Sequence, residues 1–237
     1  MPASTSAEAA ELLRKAARCY AQADWPDDAC RLFLRLHDDQ SAGPYLEQLG
    51  RHSQAAGCYE RLGNWSGAAR CHLRTGAYDR AADALYRAGD RIRAAWIWAH
   101  HANRHTHAET VLDEVASEPD PDNVSIDLVR SRCHAAAGRQ REGARLLQTL
   151  LGTLVEDVRL ARHFDWLLEV AEALARPDLL ALAYASAHRA GLPDAQKRWR
   201  DWAERTLGDI AGVPLPTQER SEETTAENQP EGESSDG

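Results

Sequence analysis

The sequence predicts an all-α fold, an α-solenoid of short antiparallel helices followed by longer ones, and three observations carry that expectation. Seven alanines stand in one register of thirteen: Ala16, Ala29, Ala42, Ala55, Ala68, Ala81 and Ala94. Gly50, Gly63, Gly76 and Gly89 fall eight residues after four successive alanines of that register. Phenylalanine is scarce and β-branched runs are nearly absent, which disfavours strands. A fixed short period marks supersecondary units that bury their apolar faces only by stacking on neighbours.

The array opens with a leading helix near Ala7 to Tyr20 that acts as a cap. In the second unit Leu32, Phe33 and Leu36 keep the apolar stripe, and in the third Gly43 and Pro44 follow the register alanine. Proline is tolerated in a helix's first turn, so the register survives there. The clearest units begin at Ala55, Ala68 and Ala81. Their apolar or small residues sit at positions 1, 4, 5 and 8, as in Ala55, Cys58, Tyr59 and Leu62, the i, i+3, i+4, i+7 stripe of one helical face. Glycine at position 9 ends each helix in a left-handed cap. Ser66 and Asp79 are the expected N-caps of the helices that follow. Thirteen residues therefore make one helix and one turn. A helix of roughly nine residues is about 14 Å long and below the length at which isolated helices hold together. Paired alanines at positions 1 and 2 keep one side slim and let neighbouring axes approach closely.

After Trp98 the period slips by one residue, and residues 117–123, SEPDPDN, form a boundary. Longer periodic segments follow over 126–137, 142–154, 158–175, 178–190 and 195–207, punctuated by Gly138, Arg176-Pro177 and Gly191-Leu192-Pro193. The organisation expected is a repeat array with its capping helix over 1–116, the boundary over 117–123, helical hairpins completing the solenoid over 124–208, and a disordered acidic tail over 209–237.

Charge is unevenly spread. The net charge is −9, of which residues 209–237 carry −7, whereas residues 16–107 carry +2. The tail lacks aromatics and is too polar to form a core. It reads either as a passive solvated end or as a short motif for a basic partner. No stretch approaches about 20 apolar residues, and the first residues lack a basic start followed by an apolar run. The expected location is the cytoplasm, with no membrane contact.

GNWSGA over 63–68 and GAYDRA over 76–81 resemble the turn of a tetratricopeptide repeat, with Gly, an aromatic two residues on and Ala five residues on. A tetratricopeptide unit uses 34 residues for two unlike helices, whereas these helices are short and nearly alike. The array is more similar to the degenerate AAxxYxxxGxYxxA repeats at the helical ends of vesicle-coat and intraflagellar-transport proteins, and to unnamed arrays in bacterial ATPase-associated gene systems. That resemblance implies a scaffold for protein partners.

Four constellations bear on chemistry. His101, His105 and His107, with His100, crowd eight residues; they read as a polar helix end or as ligands for Zn²⁺ or Ni²⁺, with His101 and His105 sharing a face if the helix runs on. No HExxH occurs, because Ala102 stands where the general base would be. The cysteines Cys19, Cys30, Cys58, Cys71 and Cys133 read as core thiols of a reducing compartment, and the 13-residue spacing of Cys58 and Cys71, with His72, follows from the repeat without a metal. Trp25, Trp65 and Tyr78 sit in turns, where they cover a neighbouring helix end or form a ridge for a partner. Lys197, Arg198, Trp199, Arg200, Trp202 and Arg205 interleave bases and aromatics as single-strand binders do, but Asp201 and Glu204 interrupt them and packing on the preceding helix explains the tryptophans. No P-loop, dinucleotide fingerprint or GxSxG is present. The function expected is a noncatalytic adaptor for a protein or peptide, without cofactor, contacting its partner through Trp25, Trp65 and Tyr78. Alternatives from other classes are a metal- or nucleic-acid-binding regulator and a small enzyme with a cryptic site.

Overall fold

A computed structural model describes residues 3–154 and 159–208. Thirteen helices and no strand occur among the described residues. They are α1 (Ala3–Gln22), α2 (Pro26–Arg35), α3 (Asp39–Gln48), α4 (His52–Arg61), α5 (Trp65–Arg74), α6 (Tyr78–Arg87), α7 (Arg91–His100), α8 (His105–Ala116), α9 (Asn123–Ala136), α10 (Gln140–Leu154), α11 (Arg159–Ala173), α12 (Pro177–Arg189) and α13 (Ala195–Leu207). The acidic segment 209–237 lies outside the described residues.

From α2 to α7 every helix has ten residues and begins thirteen after the last. The next start, His105, comes fourteen residues after Arg91, which is the one-residue slip read after Trp98. Each helix packs on the next in the chain, and side chains of α5 also reach α3, so the array is an antiparallel stack. In that arrangement successive turns fall on alternate edges. The longer helices gather around α9, which packs against α7, α8, α10 and α11 and carries the stack into the second half.

The left-handed residue ends every unit. Gly50, Gly63, Gly76 and Gly89 have φ between 68° and 89°, and in the two earliest units Asp24 and His37 adopt φ 59° and 54° at the same register position. A side chain there costs about 1 kcal/mol or more against glycine, so only the glycines mark this position in the sequence.

Ala29, Ala42, Ala55, Ala68, Ala81 and Ala94 are fully buried, and Ala16 is half-buried on the first helix. Position 2 is buried with them (Cys30, Gly43, Ala56, Ala69, Ala82, Ala95), whereas Leu62 at position 8 is 48% exposed. The core stripe is therefore positions 1, 2, 4 and 5. A ten-residue helix ends at position 7, so position 8 already belongs to the C-cap and turns outward.

The caps also sit earlier than Ser66 and Asp79. Asn64 caps α5 by accepting from Gly67 N at 3.0 Å, and Asp38, Asp90 and Asp122 cap α3, α7 and α9 in the same way. Asp79 lies inside the first turn of α6, where a carboxylate faces the positive end of the helix. The opposite ends carry Arg35, Arg61, Arg74 and Arg87, cations at the negative end. Because Asp38 caps α3 and the helix begins at Asp39, five residues before Pro44, the proline lies in the helix interior and not in its first turn.

Cys30, Cys58, Cys71 and Cys133 are buried and Cys19 is exposed. Cys19 occupies the same register position as Cys58 and Cys71, but it stays exposed on α1, which packs mainly against α2 among the described residues.

Candidate interaction edge

Contacts 22 residues apart lock each helix to the next. Arg61 at the end of α4 forms a bidentate pair with Asp39 at the start of α3, at 2.5 and 2.7 Å. One unit pair later, Arg87 at the end of α6 lies 4.7 Å over the ring of Trp65 at the start of α5. One position further along its unit, the C-cap His101 of α7 stacks on Tyr78 at the start of α6, ring centroids 4.1 Å apart. Trp65 and Tyr78 thus each cover the end of the next helix.

They do so on opposite edges. Trp65 belongs to the edge formed by the turns after α2, α4, α6 and α8; Trp25 and Tyr78 belong to the edge formed by those after α1, α3, α5 and α7. Other contacts along each edge agree with this: Arg104, the N-cap of α8, reaches Asp79 in α6 at 3.4 Å, and Arg91 at the start of α7 pairs with Glu118 just after α8. No single ridge holds all three aromatics. Trp25 is 58% exposed and stacks on Tyr20 at 5.8 Å. Tyr78 and His101 together line a surface hollow of about 330 Å³ with Asp79, Arg80 and Ala102.

The histidines are separated by the turn between α7 and α8. His101 is the C-cap of α7 and His105 the first residue of α8, so they do not share a helical face. His107 packs edge-on against Trp98 at 4.3 Å. Among the described residues no three His, Cys, Asp or Glu side chains converge on a point where a metal ion could sit. His100 is the most perturbed of the group. Burial, with His101 and Arg132 nearby, holds it down to about 4. Its Nδ1 accepts from Arg132 Nε at 3.2 Å, so Glu169, 3.6 Å from the same atom, faces a neutral ring. Burial and Arg132 lower His101 as well.

Cys58, Cys71 and His72 likewise serve the stack separately. Cys71 Sγ donates to Glu47 at 3.1 Å, and Glu47 also accepts from Arg70 at 2.6 Å. His72 Nε2 meets Glu60 at 2.7 Å. Burial and the neighbouring carboxylates push the thiols of Cys58 and Cys71 up to about 11 and about 12, far from a thiolate nucleophile.

A second hollow, about 340 Å³, opens where the array meets the longer helices, lined by Asp90, Ile92, Arg93, Asp122, Arg162 and Trp166 among others. Trp166 lies flat on Trp96 with centroids 4.4 Å apart. In α13, Trp199 and Trp202 are buried and stacked on each other, and Trp199 meets Tyr184 edge-on. Their faces are closed to bases, and Arg198 is spent on Asp165 and Phe164.

No protein family matches this chain, and no curated protein is similar to it. No helix among the described residues is long and apolar enough to cross a membrane.

Proposed function

We propose that this protein is a noncatalytic helical-repeat adaptor that binds a protein or peptide along one edge of its stack. The observation that carries the reading is Trp25, an indole 58% exposed on the edge that also holds the Tyr78–His101 hollow. A large aromatic fixed by a ring stack and left open to water is the side chain most enriched at binding hot spots, and stacked repeats offer extended surfaces for partners. The likeness of the array to those of bacterial ATPase-associated systems supports an accessory role in such a system, in the cytoplasm.

The test is affinity purification of the tagged full chain followed by binding measurements with the recovered partner. Trp25→Ala should weaken binding by about 2 kcal/mol or more while leaving the thermal melt unchanged. Undiminished binding by that variant would place the interface elsewhere, and recovery of turnover on a small molecule would replace the adaptor reading.

A further inference from the structure

The two edges of the stack differ in how their arginines are used. On the edge bearing Trp65, Arg61 is paired with Asp39, Arg91 with Glu118, Arg93 with Asp90, and Arg87 is seated on the indole, which leaves Arg35 at the end of α2 as the one arginine of that edge without a partner among the described residues. On the other, Arg51 before α4, Arg74 at the end of α5 and Arg80 at the start of α6 are exposed and have no carboxylate partner among the described residues. Arg104 joins them beside Asp79, the one acid within residues 49–54, 74–80 and 100–107. His52, His105 and His107 lie on the same turns. The Tyr78–His101 hollow, with Arg80 on its rim, is central to this strip.

The strip lies in the part of the chain, residues 16–107, whose net charge is +2 although the whole chain carries −9. Unpaired arginines cost little in water and present planar forks that suit carboxylates. We infer that the edge formed by the turns α3/α4, α5/α6 and α7/α8 is a docking surface for an acidic, Glu- or Asp-rich segment of a partner protein. Carboxylates lie along Arg51, Arg74 and Arg80, and an apolar or aromatic side chain enters beside Tyr78. This inference rests on the adaptor reading and names the chemistry of its partner.

The experiment uses fluorescence polarisation with a labelled twelve-residue peptide of alternating Glu and Ser carrying one central Phe. It is run on the full chain and on the full chain with Glu222→Gln, Glu223→Gln and Glu227→Gln, which weakens competition from its own acidic end. Saturable binding is expected in at least the second protein. The triple variant Arg51→Gln, Arg74→Gln, Arg80→Gln should weaken it at least about tenfold, and raising salt from 50 to 500 mM should do the same, because exposed charges act within a Debye length of about 10 Å at 0.1 M. The control Arg35→Gln, Arg141→Gln, Arg145→Gln changes the net charge equally and should leave affinity within about twofold. Circular dichroism of both triples should match the parent, since all six side chains are exposed. Binding absent from both proteins, or equal losses in the two triples, would overturn the inference. If a co-purified partner then binds through Trp25 without salt dependence, the adaptor reading stands and only the acidic chemistry falls.

Discussion

Replacing Gly67 by alanine sets two effects of opposite sign against each other. In an open helix interior the change gains about 1 kcal/mol. Here the new carbon would stand 3.0 Å from Tyr59 Cγ and 3.0 Å from Asn64 Nδ2, whereas carbon contacts are most favourable near 3.5–4.0 Å. Tyr59 has little room to retreat. Its Cγ is anchored to its own backbone, and the far end of the ring sits in the notch left by Gly43, where a Cβ would meet Cε1 at 3.0 Å. Asn64 yields only by giving up the cap to Gly67 N, at about 1 kcal/mol. Overpacking adds about 1–3 kcal/mol, so the clash wins and Gly67→Ala is destabilised by about 1–3 kcal/mol net. For a chain of this size that lowers the melting temperature by about 2–12 °C. Urea titrations followed by far-UV circular dichroism measure it, with Tyr59→Ala as the second arm of a double-mutant cycle. Removing the ring should bring Gly67→Ala to neutral or stabilising, a coupling above about 1 kcal/mol. A higher midpoint for Gly67→Ala alone, or the same effect in both backgrounds, would refute the argument.

Three further outcomes are expected. Ala175→Gly and His37→Gly relieve left-handed residues at φ 52° and 54° and should each raise stability by about 0.5–1 kcal/mol in the same titrations. A bulky disulfide reagent at pH 8 should modify only Cys19 rapidly, because the other four thiols are buried and their ionisation is pushed upward; a second fast thiol would show the stack to be open. His100 titrates near 4 when folded and near 6.5 when unfolded, so between those values the unfolded chain binds the extra proton. Stability should therefore fall as pH drops from 6.5 to 4, by about 3 kcal/mol at 1.36 kcal/mol per unit. His100→Gln should lose that part of the pH dependence, and parallel curves for the two proteins would contradict it.

The repeat was legible because register alanines and capping glycines are set by close helix contact and by positive φ, both local demands on residue type. The cap positions were misplaced by about two residues because Ser66 and Asp79 are also good capping residues, and only the hydrogen bond from Gly67 N distinguishes Asn64. Cys19 looked like Cys58 because periodicity does not mark which register positions a neighbouring helix covers. Turn aromatics stood out in the sequence, yet their distribution over two edges follows from counting one helix per unit and was missed. The lateral contacts had a usable signal, since Asp39–Arg61 and Trp65–Arg87 share a separation of 22. The unpaired state of Arg51, Arg74 and Arg80 had none, because it depends on where every nearby carboxylate goes.

The central claim is that one helix per thirteen residues sends successive turns to opposite edges and that the partner uses one of them. Gln40, Ser53, Ser66 and Thr106 are the exposed second residues of α3, α4, α5 and α8, next to four different turns, and Gln40 and Ser66 lie one unit to either side of Ser53. A photo-crosslinking amino acid placed at each in turn, with the purified partner bound, reads the alternation directly. Crosslinks to the partner from positions 53 and 106 but not from 40 and 66 are predicted. Crosslinks from 40 and 66, or equally from all four, would contradict the account.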